Sequence, residues 1–543
     1  MTPRFLAVFT IIVLMTSCNR EAAKSRVVPQ TSTSVPEMTI LATGASIAGA
    51  NGLHFSADNE LYIASVIGSN ITVINPDSGD VIRQMGVSEG VIGPDDIAFS
   101  NDGSFYWTSI LTGEVAGFTA TGQRVVAARL TPGVNPITFS DDGRLFVAQC
   151  FFGTNLYEVD PAGQQPARLI SDELGPGCGL NGMDWGPDDR LYGPRWFTGE
   201  VVSFNVDDNS MRTEAKGFGT PAAVKFNSRG ELHVLDTGSG EVIKIDGEER
   251  TVIATLSPGL DNFSFDKDDR LFVSSFTDGF VKRVEADGSL TTLLPSGMAH
   301  PGGLTLLGNE IVVADLHGIR FYDKTTGEET RVQRSILGVS EMGGAVNVST
   351  DGSNLILVSW LDNDVRVWDP RNEKVLERYS NLAAPVAAVR YAGKLVVTEY
   401  GKQRVISISD AGTEAHFSFA APAGLAVSGH SLFLTDRASG SIYLIGADDT
   451  ILDQPKLVVE GLDAPEGFVV VDDSFIVVEA ANGNIVRVNA ENEKELLATI
   501  APGSPAAADA QPKSMIFNGI TIDTLGNLYV SGETSRRLYK ISW

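Results

Sequence analysis

Apolar residues along this chain alternate with polar ones in runs of five or six, and Gly, Asn or Asp interrupts almost every run. A period of two is the pattern of a β-strand that buries one face. From residue 51 the chain reads NGLHFSADNELYIAS, from 95 DDIAFSNDGSFYWTS, and from 135 NPITFSDDGRLFVAQ. Each stretch is an apolar strand, a turn of Asp, Asn and Gly, and a second apolar strand. A third strand follows, as in NITVIN or EVIKID, and in most copies a more polar fourth, as in RTVIATL near residue 250. The unit recurs from Asn181, Ala222, Asp261, Gly302, Gly344, Val386, Ala423, Glu466 and Asn518, about twelve copies spaced roughly 40 to 45 residues apart. Beyond the first residues there is no sustained helical period.

One four-stranded sheet of this size cannot cover both its faces, so each copy needs a neighbour stacked on either side. The chain is therefore expected to be all-β, with about twelve four-stranded blades in tandem six-bladed β-propellers. A single twelve-bladed ring would leave a channel too broad for side chains to fill. The last copy stops after its third strand, LYKISW, while 38–43 (MTILAT) is a fourth strand with no companions. The two ends are expected to complete one blade together. The predicted divisions are 1–18, 19–37, a first propeller over 38–296 and a second over 297–543, with the boundary within 295–301.

Residues 1–18 are a separate piece: Arg4, an apolar run over 5–15, then Thr16, Ser17 and Cys18. The run is too short to span a bilayer. It resembles the signal peptide of bacterial lipoproteins, which implies that Cys18 becomes the lipidated first residue of an exported protein held at the cell envelope, on its periplasmic or outer surface. Residues 19–37 are polar, as a tether would be. The anchor would be the chain's only membrane contact.

The formal charge is −27 and the sequence pI about 4.6. Such a surface repels phosphate backbones, which argues against nucleic acid and favours cations or neutral ligands. Six His and three Cys speak against a His-rich or Cys-rich zinc site. There is no Gly-x-Ser-x-Gly elbow, phosphate-binding Gly-Lys-Ser/Thr loop or His-Glu-x-x-His helix. Cys150 follows a second strand and Cys178 enters the next blade, two loops that open on one propeller face. A disulfide is expected there, two buried thiols being the alternative.

One column of the repeat, four residues before the aromatic of each innermost strand, carries the candidate site. In the first six copies it reads Asn51, Asp95, Asn135, Asn181, Ala222 and Asp261; in the second six mostly Gly or Ala, with Glu466 and Asn518 the exceptions. Innermost strands enter from the loop face, so these side chains should ring a channel mouth. Carboxylate and amide oxygens suit a hard divalent cation, calcium first. The competing account is turn chemistry, since Asn and Asp cap turns and repeats copy them. Arg195 and Trp196 could stack on or clamp a ligand, or pack between blades. His300 and His317, in loops of the seventh copy, are second-ring candidates for acid–base work, with solvent-facing loop residues the plain alternative.

The stretch Asn181-Gly182-Met183-Asp184-Trp185 resembles the inner strand of the gluconolactonase, senescence-marker and NHL-type six-bladed propellers. The resemblance implies a metal ligand at Asn181 and a metal-dependent hydrolase of the lactonase type; the family's Glu and Asp ligand positions align with Asn51 and Ala222 here. The NHL-like acid after the second strand recurs as Asp236, Asp315, Glu399, Asp436 and Glu479, where it would brace a turn. Two functions stand open: a binder or enzyme for a small molecule at the first ring's mouth, or an envelope scaffold that recognises a protein or glycan across a propeller face.

Overall fold

The computed structural model describes residues 35–503 and 517–543. Cys18 and residues 19–34 of the tether lie outside these. Among the described residues the chain forms twelve four-stranded antiparallel sheets and one short 3₁₀ turn, Val87–Glu89. No helix among them is long and apolar enough to cross a membrane.

Local chemistry explains the hairpins that open each blade. The tight turn between the first and second strands needs one residue with positive φ. Gly supplies it at Gly103, Gly143 and Gly526, and Asn or Asp at Asn59, Asp189 and Asp269. That is why the repeated turn is written in Asp, Asn and Gly. Second strands such as Leu61–Ser65, Phe105–Ser109, Leu145–Gln149 and Leu271–Ser275 are buried along their whole length, whereas outer strands such as Val81–Met85 are largely exposed.

Twelve blades make two closed rings. In the first, the inner strands Leu53–Phe55, Pro94–Phe99, Val134–Phe139, Asp184–Trp185, Pro221–Phe226 and Leu260–Phe265 follow one another, and the last packs back on the first. In the second, Leu304–Leu307 is likewise neighbour to Ile520–Ile522. A hydroxyl of the second strand repeatedly donates to the column carbonyl of the next blade: Ser274 to Asn51 (2.7 Å), Thr398 to Ala423 (3.0 Å), Thr435 to Glu466 (2.9 Å) and Ser531 to Gly302. The first and last of these bonds close the two rings. Inner strands also approach so closely that a Cβ at Gly182 would lie 2.7 Å from the Ala222 carbonyl oxygen, so glycine follows Asn181 for want of space.

The core is distributed between blades. Tyr62, Ala64 and Val73 of one blade interlock with Ile97, Phe105 and Trp107 of the next, and Leu53 and Ile63 with Phe272 and Val281 across the first ring's closure. Each fully buried aliphatic side chain contributes about 1.5–3 kcal/mol. The acids after the second strands hold the loop that enters their own blade. Asp236 accepts from Gly219 and Thr220 N–H (2.6 and 2.8 Å), Glu399 from Ala383, Asp436 from Ala421 and Glu479 from Asp463.

Glu37–Thr43 pairs antiparallel with Arg537–Ser542, Met38 opposite Ile541 and Thr39 opposite Lys540. This strand completes the second ring, so the numerical range 38–296 for the first ring is corrected at its start: that ring's strands run from Leu53 to Leu294. The rings also touch. Val66, Ile110 and Leu111 of the first share an apolar cluster with Leu316 and Val346 of the second, and Arg320 of the second ring forms buried ion pairs with Asp278 of the first and Asp315 of its own.

Candidate functional site

A cavity of about 320 Å³ lies where the loop face of the first ring meets the second. Its floor is the column: Asn51, Asp95, Asn135, Asn181 and Asp261 all line it. These side chains stand just before or at the start of the inner strands, so ring closure alone brings five distant positions together. Ala222 is too short to take part. The walls are Phe151, Trp196 and Phe276, and the roof is built by Leu316, His317, Ser335, Leu337 and Asp362 of the second ring. Trp196 Nε1 donates to the Leu337 carbonyl at 3.0 Å, tying wall to roof.

The floor amides have fixed orientations. Asn51 Oδ1 accepts from Val66 N–H at 3.0 Å and Asn181 Oδ1 from Gly182 N–H at 3.0 Å, while Asn135 Nδ2 donates to Asp95 at 3.4 Å. Burial, then the charges of Asp261 and Asp96, raise Asp95 well above the usual carboxylate range. Burial and then Asp96 push Asp261 up to about 8, offset in part by a hydrogen bond from Asn51. Among the described residues no cationic side chain acts on either carboxylate. One layer deeper the situation is different. Burial raises Asp96 and Asp184 as well, but the buried Lys225 works against it in both, and its Nζ donates to the Met183 carbonyl at 3.3 Å. The same lysine adds to burial in holding His54 down at about 4.

The remaining expected residues are dispersed. Arg195 does not line the cavity; it pairs with Glu200 at 3.2 Å and packs on Gly175. His300 is buried rather than in solvent and lies outside the cavity lining, donating from Nε2 to the Ala48 carbonyl at 3.1 Å. Phe276 stands between the two histidines, 4.6 Å from the His300 ring and 5.0 Å from that of His317. Glu466 and Asn518 hold each other at the second ring's mouth, Asn518 Nδ2 donating to Glu466 at 2.8 Å, with Arg437 on the other carboxylate oxygen. A disulfide joins Cys150 to Cys178 and leads directly into Phe151. Phe151 and Leu316, which both line the cavity, hold left-handed backbone, φ 64° and 49°. Such a conformation costs a non-glycine residue about 1 kcal/mol or more.

Sequence reasoning missed Asp96, Lys225, Phe276, Ser335 and Asp362. Lys225 did leave a signal, as a charge at an inner position of the apolar strand PAAVKF; the roof residues left none.

A β-propeller repeat family model matches residues 510–537. No curated protein sequence matches the chain. Among solved structures, virginiamycin B lyase from Staphylococcus aureus matches with 13% identity and a TM-score of 0.37, over 52% of this chain and 96% of its own. An extracellular domain assigned to a hybrid two component system of B. thetaiotaomicron matches with 10% identity and a TM-score of 0.32, over 93% of this chain and 82% of its own. The chain is a β-propeller protein by its own twelve sheets and two ring closures.

Proposed function

We propose that this protein is an exported lipoprotein of the bacterial envelope that binds a small molecule in the cavity between its rings, the positive charge of the bound species resting on Asp95 and Asp261. One observation carries this reading: the carboxylates of the deeper layer have Lys225, and the pair at the floor of the cavity has no cation among the described residues. Two acids kept together without a counter-charge are costly in a binding-free protein, and a cationic ligand removes the cost. Many of the exposed large apolar side chains are scattered: Val81, Leu169, Leu290, Leu376, Leu457 and Leu496 each stand on the outer strand of a different blade.

The divalent cation expected from the sequence is one occupant of the pair. Its test is metal analysis of the purified protein followed by calorimetric titration with calcium and other divalent ions, for the unaltered chain and for Asp95→Ala and Asn181→Ala. Saturable binding weakened in both variants supports a metal; equal titrations in all three remove it. The anchor is tested separately by Cys18→Ala, which should release the protein from the membrane fraction. A variant of normal size that still sediments with membranes would refute lipidation at Cys18.

A further inference from the structure

The cavity has two polar ends. At the floor stand Asp95 and Asp261. At the roof His317 Nδ1 and Ser335 Oγ are sealed from solvent, in residues 6% and 1% exposed, and neither has a hydrogen-bond partner. Buried polar atoms in native proteins are nearly always satisfied, so two orphan atoms in side chains that line one cavity point to a ligand that turns them inward and completes them. Between the ends the walls are aromatic.

The donor set fits a bare divalent ion poorly. Calcium takes six to eight oxygens in close contact. Here two carboxylates are on offer, the Asn51 and Asn181 oxygens already accept backbone N–H groups, and Asn135 turns its NH₂ towards Asp95. Among the described residues no three His, Cys, Asp or Glu side chains are grouped to hold a metal. Aromatic walls do nothing for a naked ion, but they stack on an organic body and attract a cation through their π-faces.

We infer that the cavity takes an organic ammonium ion with a flat apolar body and a hydroxyl or carbonyl at its far end. The ammonium lies on Asp95 and Asp261, the body between Phe151, Trp196 and Phe276, and the far group meets His317 Nδ1 and Ser335 Oγ. This assignment rests on the reading of the cavity as a small-molecule site. Charge matches: burial keeps Asp261 protonated at pH 7, and an ammonium beside the two carboxyls favours loss of a proton, which leaves a negative charge against it. Burial holds His317 near 4, so its ring is neutral at pH 7 and does not repel a cation. Phe152, 58% exposed and also lining the cavity, marks a way in from solvent.

The test is calorimetry on the purified protein with tyramine and its shorter homologue 4-hydroxybenzylamine, against phenethylamine, which lacks the hydroxyl, and tyrosol, which lacks the ammonium. Saturable binding of at least one hydroxylated amine is expected, roughly tenfold tighter than phenethylamine, with none for tyrosol. Ser335→Ala should bring tyramine down to the level of phenethylamine and leave phenethylamine unchanged. Asp95→Asn should abolish both; if that variant does not fold, Asp261→Asn reads the same charge. Silence of both hydroxylated amines overturns the ammonium assignment, as does binding that survives loss of the carboxylate. Calcium binding beside silent amines leaves the cavity reading standing and rejects the ligand class; silence of calcium and amines rejects both.

Discussion

Arg320 of the second ring donates from Nη2 to Oδ1 of Asp278 in the first at 2.7 Å, and the two side chains are only 1% and 2% exposed. Asp315 accepts a hydrogen bond from Nε–H of the same guanidinium, Glu329 is bound by Nη1 at 2.9 Å, and Arg334 reaches Asp278 at 2.9 Å. Removing Arg320 leaves the buried Asp315 charged without its ion-pair partner and Asp278 with Arg334 alone, and breaking a buried pair in this way costs about 3–5 kcal/mol. Arg320→Ala should therefore lower the denaturation midpoint strongly, and Asp278→Asn added to it should cost little more. Additive losses in this cycle would show that the two residues act independently.

The floor carboxyls should make the ligand-free protein sensitive to alkali. A carboxyl whose pKa is raised by folding binds its proton more tightly in the native state, so stability falls as pH rises from the unfolded value near 4. For Asp261 that window ends at about 8. Asp261→Asn should raise the stability of the unliganded protein at pH 8 by as much as about 5 kcal/mol, and far less at pH 4.5. A lower thermal midpoint at pH 8 in the variant would contradict this.

The bond between Cys150 and Cys178 closes a segment with a sequence separation of 28. A loop of that length is worth about 3–4 kcal/mol in the chain-entropy account. Cys150→Ser with Cys178→Ser should lose about that much in denaturant unfolding, with ligand binding weakened as well, because Phe151 is the next residue and lines the cavity. Mass mapping of the unreduced protein checks the pairing itself; two free thiols would refute it.

Deletion of residues 37–43 should expose the edge of Arg537–Ser542 and destabilise the second ring. Hydrogen exchange is the direct measurement. Amides of Leu538 to Ile541 should lose protection, while those of the first ring's second strands, such as Leu61–Ser65, keep theirs. Unchanged exchange over the last strand would mean that the pairing with Glu37–Thr43 adds no stability.

The floor of the site was legible because each copy of the repeat places the same turn residue at the same corner of its blade. Asn51 and Asp261 lie far apart in sequence, yet ring closure makes them neighbours. The acids Asp236, Glu399, Asp436 and Glu479 were readable as turn braces for the same reason. The roof was not legible. His317 and Ser335 reach the cavity only because the rings are in contact, through Arg320 with Asp278 and through Val66 and Ile110 with Leu316. Those contacts follow no period. Arg195 misled because its neighbour in sequence, Trp196, points the other way, into the cavity, while the arginine turns to Glu200.

The pairing of Glu37–Thr43 with Arg537–Ser542 makes the first ring an insertion: everything from Leu53 to Leu294 sits between two neighbouring strands of one blade. The first ring can close as soon as its own sixth blade has emerged, whereas the second must bring together residues some 500 positions apart, and closing so long a chain segment is slow in entropy terms. A propeller already closed between those ends shortens the distance they must search. The order expected from these lengths runs inside out: the inserted ring forms first, and the enclosing ring is sealed only when the final strand meets Glu37–Thr43.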